Sequence, residues 1–289
     1  MTATMTAILF DGIVQGLQLS LLAVGITLIY GLGGVLNLAH GQFAVVGGVA
    51  AALLLSQGLH PVLASLGGIA SAGALGLAVD RTLLLPAYRY RGEERLLLGL
   101  ILTLGFSFVI DGLLNWKFPE FSLTFQLPVP LVEFAGIPMR TASLAASLIA
   151  VVIFAGLSAF LKLTLLGKSI RSIIENEVGA ELCGIDPGRT RTLIVCLAAM
   201  MAGVAGVTQG LFSSLGTEMG PEFTTLALLV AVVGGVRSIN GTLAAGILLG
   251  IVNAFASHFV GAYVAYIILL SFAMATILVR PAGLLARFT

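Results

Sequence analysis

Polar side chains inside long apolar stretches are the residues of this sequence best suited to chemistry. They are Asn37, His40 and Gln42, then Thr103, Ser107 and Asp111 at four-residue spacing, and Gln209. Polar groups at membrane depth are costly to insert, and they mark solute pathways. Hydroxyl and amide groups can bind a small polar solute by hydrogen bonds, but these residues do not form the nucleophile–base pair of a catalytic site. The sequence therefore predicts a solute pathway lined by such side chains.

Glycine-rich segments interrupt the apolar sequence near both ends of the chain. One runs from Tyr30 to Gln42 and the other from Val233 to Thr242, and each has Gly-Gly-Val, a short polar interval with Asn, and then Gly. Transporters built from internal repeats break helices at corresponding positions, and the breaks line the pathway. We therefore expect the two segments to be equivalent, and we assign Gly234, Gly235 and Asn240 to the pathway. Close helix packing, which also favours glycine in membranes, is the alternative.

The polar segment from Lys162 to Arg191 separates two apolar spans and contains a pattern typical of an amphipathic helix. Apolar residues recur at helical spacing from Ile170 to Ile185. Such a helix can lie on a lipid surface or present its apolar face to a groove of a partner protein. Asp186 and Pro187 have the types favoured at the N-cap and the first position of a helix, so we expect the next span to start there.

The apolar stretches predict an all-α, polytopic integral membrane protein. Hydrophobic residues make up 58% of the 289 residues and charged residues only 9%, against about 25% charged residues in a typical soluble domain. A helix needs roughly 20 apolar residues to cross a bilayer, which gives about eight transmembrane helices. They are predicted at Leu9–Tyr30, Pro61–Val79, Leu96–Leu114, Thr141–Leu161, Leu193–Phe212, Phe223–Val236, Thr242–Ser257 and Tyr263–Val279. A shorter stretch, Gln42–Ser56, is expected to be a half-helix or a re-entrant segment.

Lys and Arg residues concentrate in alternate loops, and this asymmetry predicts the orientation of the chain. Basic clusters lie at 81–95 and 162–191, whereas the loop 115–140 contains only Lys117 and Arg140. The clusters and the C-terminus are therefore expected on the cytoplasmic side, and the loop 115–140 outside. Aromatic and proline residues in that loop suit either interfacial anchoring or docking of an extracytoplasmic partner.

Motifs that the sequence lacks exclude several functions. A phosphate-binding Gly-x-x-x-x-Gly-Lys-Ser/Thr loop is absent, so ATP hydrolysis would have to come from a partner, and we expect no cofactor in this chain. His, Cys and carboxylate residues nowhere have metal-ligand spacing, so no metal site is expected. A net charge of +1 without a basic block gives no indication of nucleic-acid binding. We expect a transport subunit rather than an enzyme.

Four segments together resemble the permease subunits of branched-chain amino acid ABC transporters. They are Gly31–Gly48 with its Val-Leu-Asn-Leu-Ala-His-Gly-Gln-Phe run, Gly179–Asp186, Val232–Gly241 and Arg280–Leu284. The resemblance covers nearly the whole chain. It is specific for the family rather than for the solute, because relatives also import urea, short amides and aromatic acids.

The resemblance implies a single permease domain, residues 1–289, in the lipid of a prokaryotic inner membrane. This chain would form half of a pathway for a small polar solute, branched-chain or other amino acids first, together with a second, related permease. An extracytoplasmic solute-binding protein would deliver the solute, and two cytoplasmic ATPase subunits would bind ATP and contact a coupling loop at about 162–191. The implied coupling residues are Ile170, Ile174, Glu175, Glu177, Val178, Gly179, Ala180, Glu181, Gly184 and Ile185.

A secondary transporter or channel for a small neutral solute such as urea, working without ATPases, remains the alternative. It would need ion-coupling residues in the spans, and the sequence offers few. An intramembrane enzyme would need a catalytic pair at membrane depth, and a scaffold would have no need of paired helix breaks.

Overall fold

The computed structural model describes residues 2–90, 92–119, 122–123, 131–134, 137–236, 238–280 and 283. Its helices are α1 (Thr2–Gly33), α2 (His40–Ser56), α3 (Pro61–Val79), α4 (Leu85–Ala87), α5 (Glu93–Lys117), α6 (Thr141–Leu163), α7 (Leu165–Glu175), α8 (Glu177–Leu182), α9 (Pro187–Phe212), α10 (Gly220–Gly234), α11 (Ile239–Val260) and α12 (Ala262–Val279). A π-helical turn, Asp80–Leu84, joins α3 to α4. Two antiparallel ribbons pair β1 (Ser122–Leu123) with β4 (Leu215–Gly216) and β2 (Leu131–Phe134) with β3 (Ile137–Arg140).

The expected all-α membrane architecture is confirmed, with fewer long spans than predicted. Within the described residues, six helices are long and apolar enough to cross a membrane: α1, α3 continued into α4, α5, α6, α9 and α11. The apolar helices at α2, α10 and α12 are shorter. Two predicted spans, Phe223–Val236 and Tyr263–Val279, correspond to these shorter helices α10 and α12, so the count of about eight long spans is not confirmed.

Helices α1 and α9 form the centre of the bundle. In their apolar stretches 83% and 72% of the residues are buried, against 17–33% in the other four long helices. α1 packs on α11, and α9 packs on α3. A Cβ at Gly12 would come within 2.8 Å of the Ile251 Cα, and a Cβ at Gly203 within 2.7 Å of the Ala72 side chain. Small residues permit this close approach, on which helix association in lipid depends.

Helices α2 and α10 are half-helices that begin in the middle of the bundle. α2 starts at His40, whose Nε2 lies 2.9 Å from the Leu22 carbonyl oxygen, well inside α1. A non-helical segment precedes each half-helix, 34–39 before α2 and 213–219 before α10, which starts at Gly220. Non-helical backbone at membrane depth persists only where protein or a water-filled cavity covers it. The expected half-helix at 42–56 is thus present, and α10 is a second one.

Thr224 joins the first turns of the two half-helices. Its Oγ1 accepts a hydrogen bond from Gly41 N at 2.9 Å, and it lies 3.0 Å from the Gly220 carbonyl oxygen and 3.2 Å from that of Leu38. Gly220 has no space for a side chain, because a Cβ would overlap the Gln42 amide. Two helix N-termini, each carrying partial positive charge, therefore meet at the centre.

The order α1–α2–α3–α5 recurs as α9–α10–α11–α12 in the opposite direction. Residues pair in reverse order along α1 and α9, since Gln18 bonds Thr208 and Gly25 lies against Ala198. The contacts correspond as well: α1 packs on α11 as α9 packs on α3, and α2 packs on α9 as α10 packs on α1. This arrangement is an inverted-topology repeat.

The expected equivalence of the two glycine-rich segments is wrong. The counterpart of 34–39 is 213–219, because each precedes a half-helix, while the turn after Gly234 joins α10 to α11. Gly-Gly-Val occurs at that turn for a local reason. Gly234 lies against Gly241, where a Cβ would come within 2.5 Å of backbone, and Gly235 has a φ of 96°.

Candidate functional site

Gln42 ties the first turn of α2 to α5. Its Nε2 donates to the Ser107 carbonyl oxygen at 3.3 Å, to Ser107 Oγ at 3.2 Å and to Asp111 Oδ1 at 3.1 Å. The four-residue spacing of Ser107 and Asp111 places both on the helix face that meets α2. Gln42 and Ser107 are buried. The structure thus brings these three residues together as an interior contact between helices.

Thr103, one turn earlier on α5, holds the segment that precedes α2. Its Oγ1 accepts from Leu38 N at 3.0 Å and donates to the Gly99 carbonyl oxygen at 2.7 Å. A Cβ on Gly99 would overlap Val35, so α5 and this segment are in direct contact. In the first repeat, the space beside the half-helix is therefore closed.

Buried polar atoms without partners concentrate at the start of α2. Asn37 Oδ1 accepts from Ala39 N at 2.9 Å, but its Nδ2 has no hydrogen-bond partner among the described residues. The same holds for Nδ1 of His40 and Oε1 of Gln42. Buried polar groups are nearly always hydrogen-bonded, so bonding capacity is left unused at this point of the bundle.

A cavity of about 430 Å³ lies between α1, α9, α10, α11 and α12, beside the segment 213–219. Its polar lining consists of Gln15, Gln18, Gln209, Ser213, Glu222, Asn253 and Tyr266. The apolar lining consists of Leu19, Leu22, Ala44, Ala205, Met219, Phe223, Leu226 and Leu269. Polar residues at membrane depth that face a cavity are functional candidates. Of the predicted pathway residues, Gln209 lies here.

Sequence reasoning missed most of this lining. Gln15 and Gln18 share a helix face at three-residue spacing within the first apolar run, which is a signal that could have found them. Gln18 Nε2 donates to the Ala146 carbonyl oxygen at 3.2 Å, and its Oε1 accepts from Thr208 at 2.6 Å. Glu222 lies just before the predicted span Phe223–Val236, and nothing in the neighbouring sequence indicates that this part of the chain enters the bundle.

Three predicted pathway residues, Gly234, Gly235 and Asn240, lie away from this cavity. Asn240 lines a second cavity of about 310 Å³ beside α7, together with Ile170 and Glu175. Asn240 therefore lies next to the predicted coupling segment and not in the cavity that Gln209 lines. The structure does not bring these residues together with Asn37, His40 or Gln42.

The segment between α6 and α9 folds as two helices rather than as the single amphipathic helix that the spacing predicts. α7 ends at Glu175, and Asn176 is extended, with φ −155° and ψ 102°. α8 then begins at Glu177, and Asn176 Oδ1 accepts from Gly179 N at 2.9 Å. Asn is among the residues favoured at an N-cap, and here its side chain starts a new helix.

The turn after α8 leads directly into α9, as expected from the sequence. Ile185 N donates to the Ala180 carbonyl oxygen at 3.1 Å, and Gly184 has a φ of 83° that favours glycine. Asp186 Oδ1 accepts from two backbone N–H groups of the first turn of α9, at 2.9 and 3.2 Å. The predicted N-cap at Asp186, with Pro187 at the first helical position, is confirmed.

The predicted coupling residues divide between an inner and an outer face. Ile170 and Ala180 are buried against the bundle. Val178 is 66% exposed and Glu181 is exposed beside it, as is Leu182, a neighbour outside the predicted set, at 85%. Large exposed apolar side chains that are rimmed by polar residues are typical of interaction surfaces. The coupling role of the set remains a prediction.

Glu177 turns from α8 back towards the bundle. Its Oε1 lies 2.6 Å from Arg191 Nη2 in α9, and its Oε2 lies 3.9 Å from Arg95 Nη1 in α5. Arg191 Nη2 has no hydrogen-bond partner among the described residues despite this short contact, so the contact is an ion pair held by Coulomb attraction. The Arg191 side chain is only 8% exposed. Charge therefore attaches α8 to two spans, through partners that sequence spacing could not reveal.

Tyr88, just beyond the end of α4, packs beside Arg95 and Arg191. Its ring centre lies 4.6 Å from the Arg191 guanidinium carbon and 5.9 Å from that of Arg95. Burial raises the pKa of Tyr88, the Asp80 carboxylate raises it further, and Arg191 and Arg95 partly offset the rise. The phenol therefore stays neutral, and its ring serves as a face for both cations.

The class of protein follows from these features. Long apolar helices, an inverted repeat with two half-helices and a polar cavity define a membrane transport protein. The solved structure of PsaBC from Streptococcus pneumoniae in complex with Fab matches with a TM-score of 0.55 and 12% identity, over 98% of this chain and 97% of that one. At this identity the likeness concerns the fold.

Sequence comparison then gives the family. Residues 8–282 match the family model for the permease component of branched-chain amino acid transport systems. The high-affinity branched-chain amino acid transport system permease protein LivH of Escherichia coli is 28% identical over 96% of this chain and 94% of its own length. The corresponding BraD of Pseudomonas aeruginosa is 28% identical over 96% and 95%.

The chain belongs to this family of permease components. It is a permease subunit of an ABC importer and a multi-pass protein of the prokaryotic inner membrane. The resemblance noted in the four sequence motifs is therefore confirmed. A transport subunit rather than an enzyme was expected, and the family agrees.

Proposed function

We propose that this chain forms half of the translocation pathway of an importer for small amino acids, branched-chain amino acids first. The observation that carries the proposal is the α7–α8 pair. It exposes Val178 and Leu182 beyond the bundle and is attached to α5 and α9 through Glu177. A coupling element needs a free face for a partner and a firm link to the spans, and this pair has both.

The proposed membrane arrangement has nine crossings, one of which is formed by the half-helix α2 together with the segment 34–39. The segment 213–219 completes the crossing of α10, and α12 crosses last. The basic residues around α4 and α7 favour the cytoplasm for that end of the bundle. The contacts of α1 with α11 then place the first residues of α1 outside, and the 430 Å³ cavity lies towards the outer side.

The proposed partners follow from the role. A second, related permease would complete the pathway, an extracytoplasmic solute-binding protein would deliver the amino acid, and two ATPase subunits would bind ATP and contact the coupling loop at 162–191. This chain would form one domain, 1–289, and bind no cofactor. The names of the relatives support an amino-acid cargo, and the many aliphatic side chains of the cavity suit a branched-chain one.

The test is purification of the tagged chain from native membranes in mild detergent. We expect a second permease and ATPase subunits to co-purify, with vanadate-sensitive ATP hydrolysis, and proteoliposomes of the complex to import tritiated leucine when the binding protein is added. A chain that purifies alone, without ATP hydrolysis, would instead support a secondary transporter or channel.

A further inference from the structure

The lining of the cavity beside α10 carries a negative charge. Among the lining residues that the structure describes, Glu222 is the only acidic one and none is Lys or Arg. Glu222 is exposed and forms no ion pair within the described ranges. A carboxylate among transmembrane helices is costly unless it faces a cavity or a partner charge. Its position therefore leaves room for a positive group supplied from elsewhere.

Two pairs of polar side chains shape the cavity rather than offering free bonding groups. Asn253 Nδ2 donates to Gln15 Oε1 at 3.1 Å, which joins α11 to α1. Gln18 bonds Thr208 and so joins α1 to α9. Gln209, by contrast, makes no side-chain hydrogen bond to the described part of the chain, although it lines the same space. Its amide offers two donors and an acceptor.

The remaining wall of the cavity is aliphatic. It is formed by Leu19, Leu22, Leu226 and Leu269, with Met219 and Phe223 beside them. A volume of about 430 Å³ falls within the usual range of small-molecule sites, which combine mostly apolar walls with a few convergent polar groups. The lining thus presents one carboxylate, one unused amide, the hydroxyl groups of Ser213 and Tyr266, and an apolar wall.

We infer that this cavity is a binding site for a zwitterion with an aliphatic side chain. The ammonium group binds the Glu222 carboxylate, the carboxylate accepts from the Gln209 amide, and the side chain lies against the leucines. The inference rests on the proposed function, and it adds a specificity determinant: Glu222 selects cargo with an α-ammonium group over neutral amides and over organic acids that lack one.

Glu222 also lies in the first turn of α10, where an acidic residue stabilises a helix through its macrodipole. That role alone predicts a change in thermal stability and no change in cargo affinity. Glu218 provides a matched control, since it is an exposed acid of the same segment that does not line the cavity.

The experiment measures equilibrium binding of tritiated leucine to the purified complex of permeases and ATPases in lipid nanodiscs, without the binding protein. Loss of a hydrogen bond to a charged group predicts that Glu222→Gln raises the Kd for leucine about tenfold or more. Glu222→Asp should recover part of the affinity, Gln209→Ala should weaken binding, and Glu218→Gln should leave the Kd unchanged. Isocaproate, which lacks the ammonium group, should compete poorly with leucine.

Two results would overturn the inference, and they differ in what they say of the proposed function. If the wild-type complex imports leucine but Glu222→Gln and Gln209→Ala bind it with wild-type Kd, the site is wrong and the importer stands. If the wild-type complex neither binds nor imports leucine, the amino-acid cargo and the site both fail.

Discussion

The contact between Glu177 and Arg191 predicts how firmly the coupling segment is attached to the bundle. Glu177→Gln removes the charge that faces Arg191 at 2.6 Å and Arg95 at 3.9 Å, and it preserves the size of the side chain. Arg191, with 8% of its side chain exposed, then keeps a buried charge without its partner on α8. We expect α8 to separate from α5 and α9 more often, while the rest of the fold is retained.

The free-energy cost of Glu177→Gln can be estimated from the burial of Glu177 and Arg191. Removing one member of a fully buried ion pair costs about 3–5 kcal/mol, whereas exposed pairs contribute about 0–1 kcal/mol. Glu177 is 38% exposed and Arg191 8%, so water screens one side of this pair. We therefore expect Glu177→Gln to weaken the attachment of α8 by about 2 kcal/mol. This corresponds to a roughly thirtyfold rise in the population of molecules in which α8 is separated from α5 and α9.

Amide hydrogen exchange of the peptide that contains α8 measures this population, because exchange reports local opening. We expect protection in Glu177→Gln to fall about thirtyfold. Arg189→Gln is the control, since it breaks a pair with Asp186 whose side chains are 89% and 54% exposed, and it should leave protection nearly unchanged. Wild-type protection of α8 in Glu177→Gln would refute the attachment.

Three further substitutions test the packing and the sites. Gly16→Leu should lower the thermal unfolding midpoint sharply, because a Cβ there would lie 2.5 Å from the Ile247 Cα, whereas Gly105→Leu should not, since nothing lies within 4 Å. Leu182→Asp, at an 85% exposed position, should keep the wild-type midpoint but prevent co-purification of the ATPases. Gln42→Leu should cost about 1–3 kcal/mol in an unfolding assay, and lost uptake at unchanged stability would make it a pathway residue instead.

Local features of the fold were largely predictable. Asp186 and Pro187 marked the start of α9, because capping chemistry depends on neighbouring residues alone. The half-helix α2 was expected from its length. The break at Asn176 was missed because apolar residues continue at helical spacing across it, although Asn before Glu177 is itself a capping signal.

Long-range relations were not predictable from pattern. Arg95 and Arg191 meet Glu177 from positions far along the chain. The segment 213–219 lacks Gly-Gly-Val and has the polar composition of an ordinary loop, so the sequence predicts a span only from Phe223 and leaves Glu222 outside it. The pathway role of Asn37, Thr103 and Ser107 remains a prediction. The structure adds that Thr103 and Ser107 of α5 bond to Leu38 and Gln42, at the segment before α2 and its first turn.

The two halves of the inverted repeat differ at one corresponding place, and the difference bears on transport. In the first half, α5 closes on the segment before α2 through Thr103 and Leu38. In the second half, Tyr266 and Leu269 of α12 line a cavity beside the segment before α10, together with Ser213 and Met219 of that segment. The same topology thus has a closed space beside α2 and an open cavity beside α10, on opposite sides of the bundle. Exchange between these two arrangements is what alternating access requires of an inverted repeat.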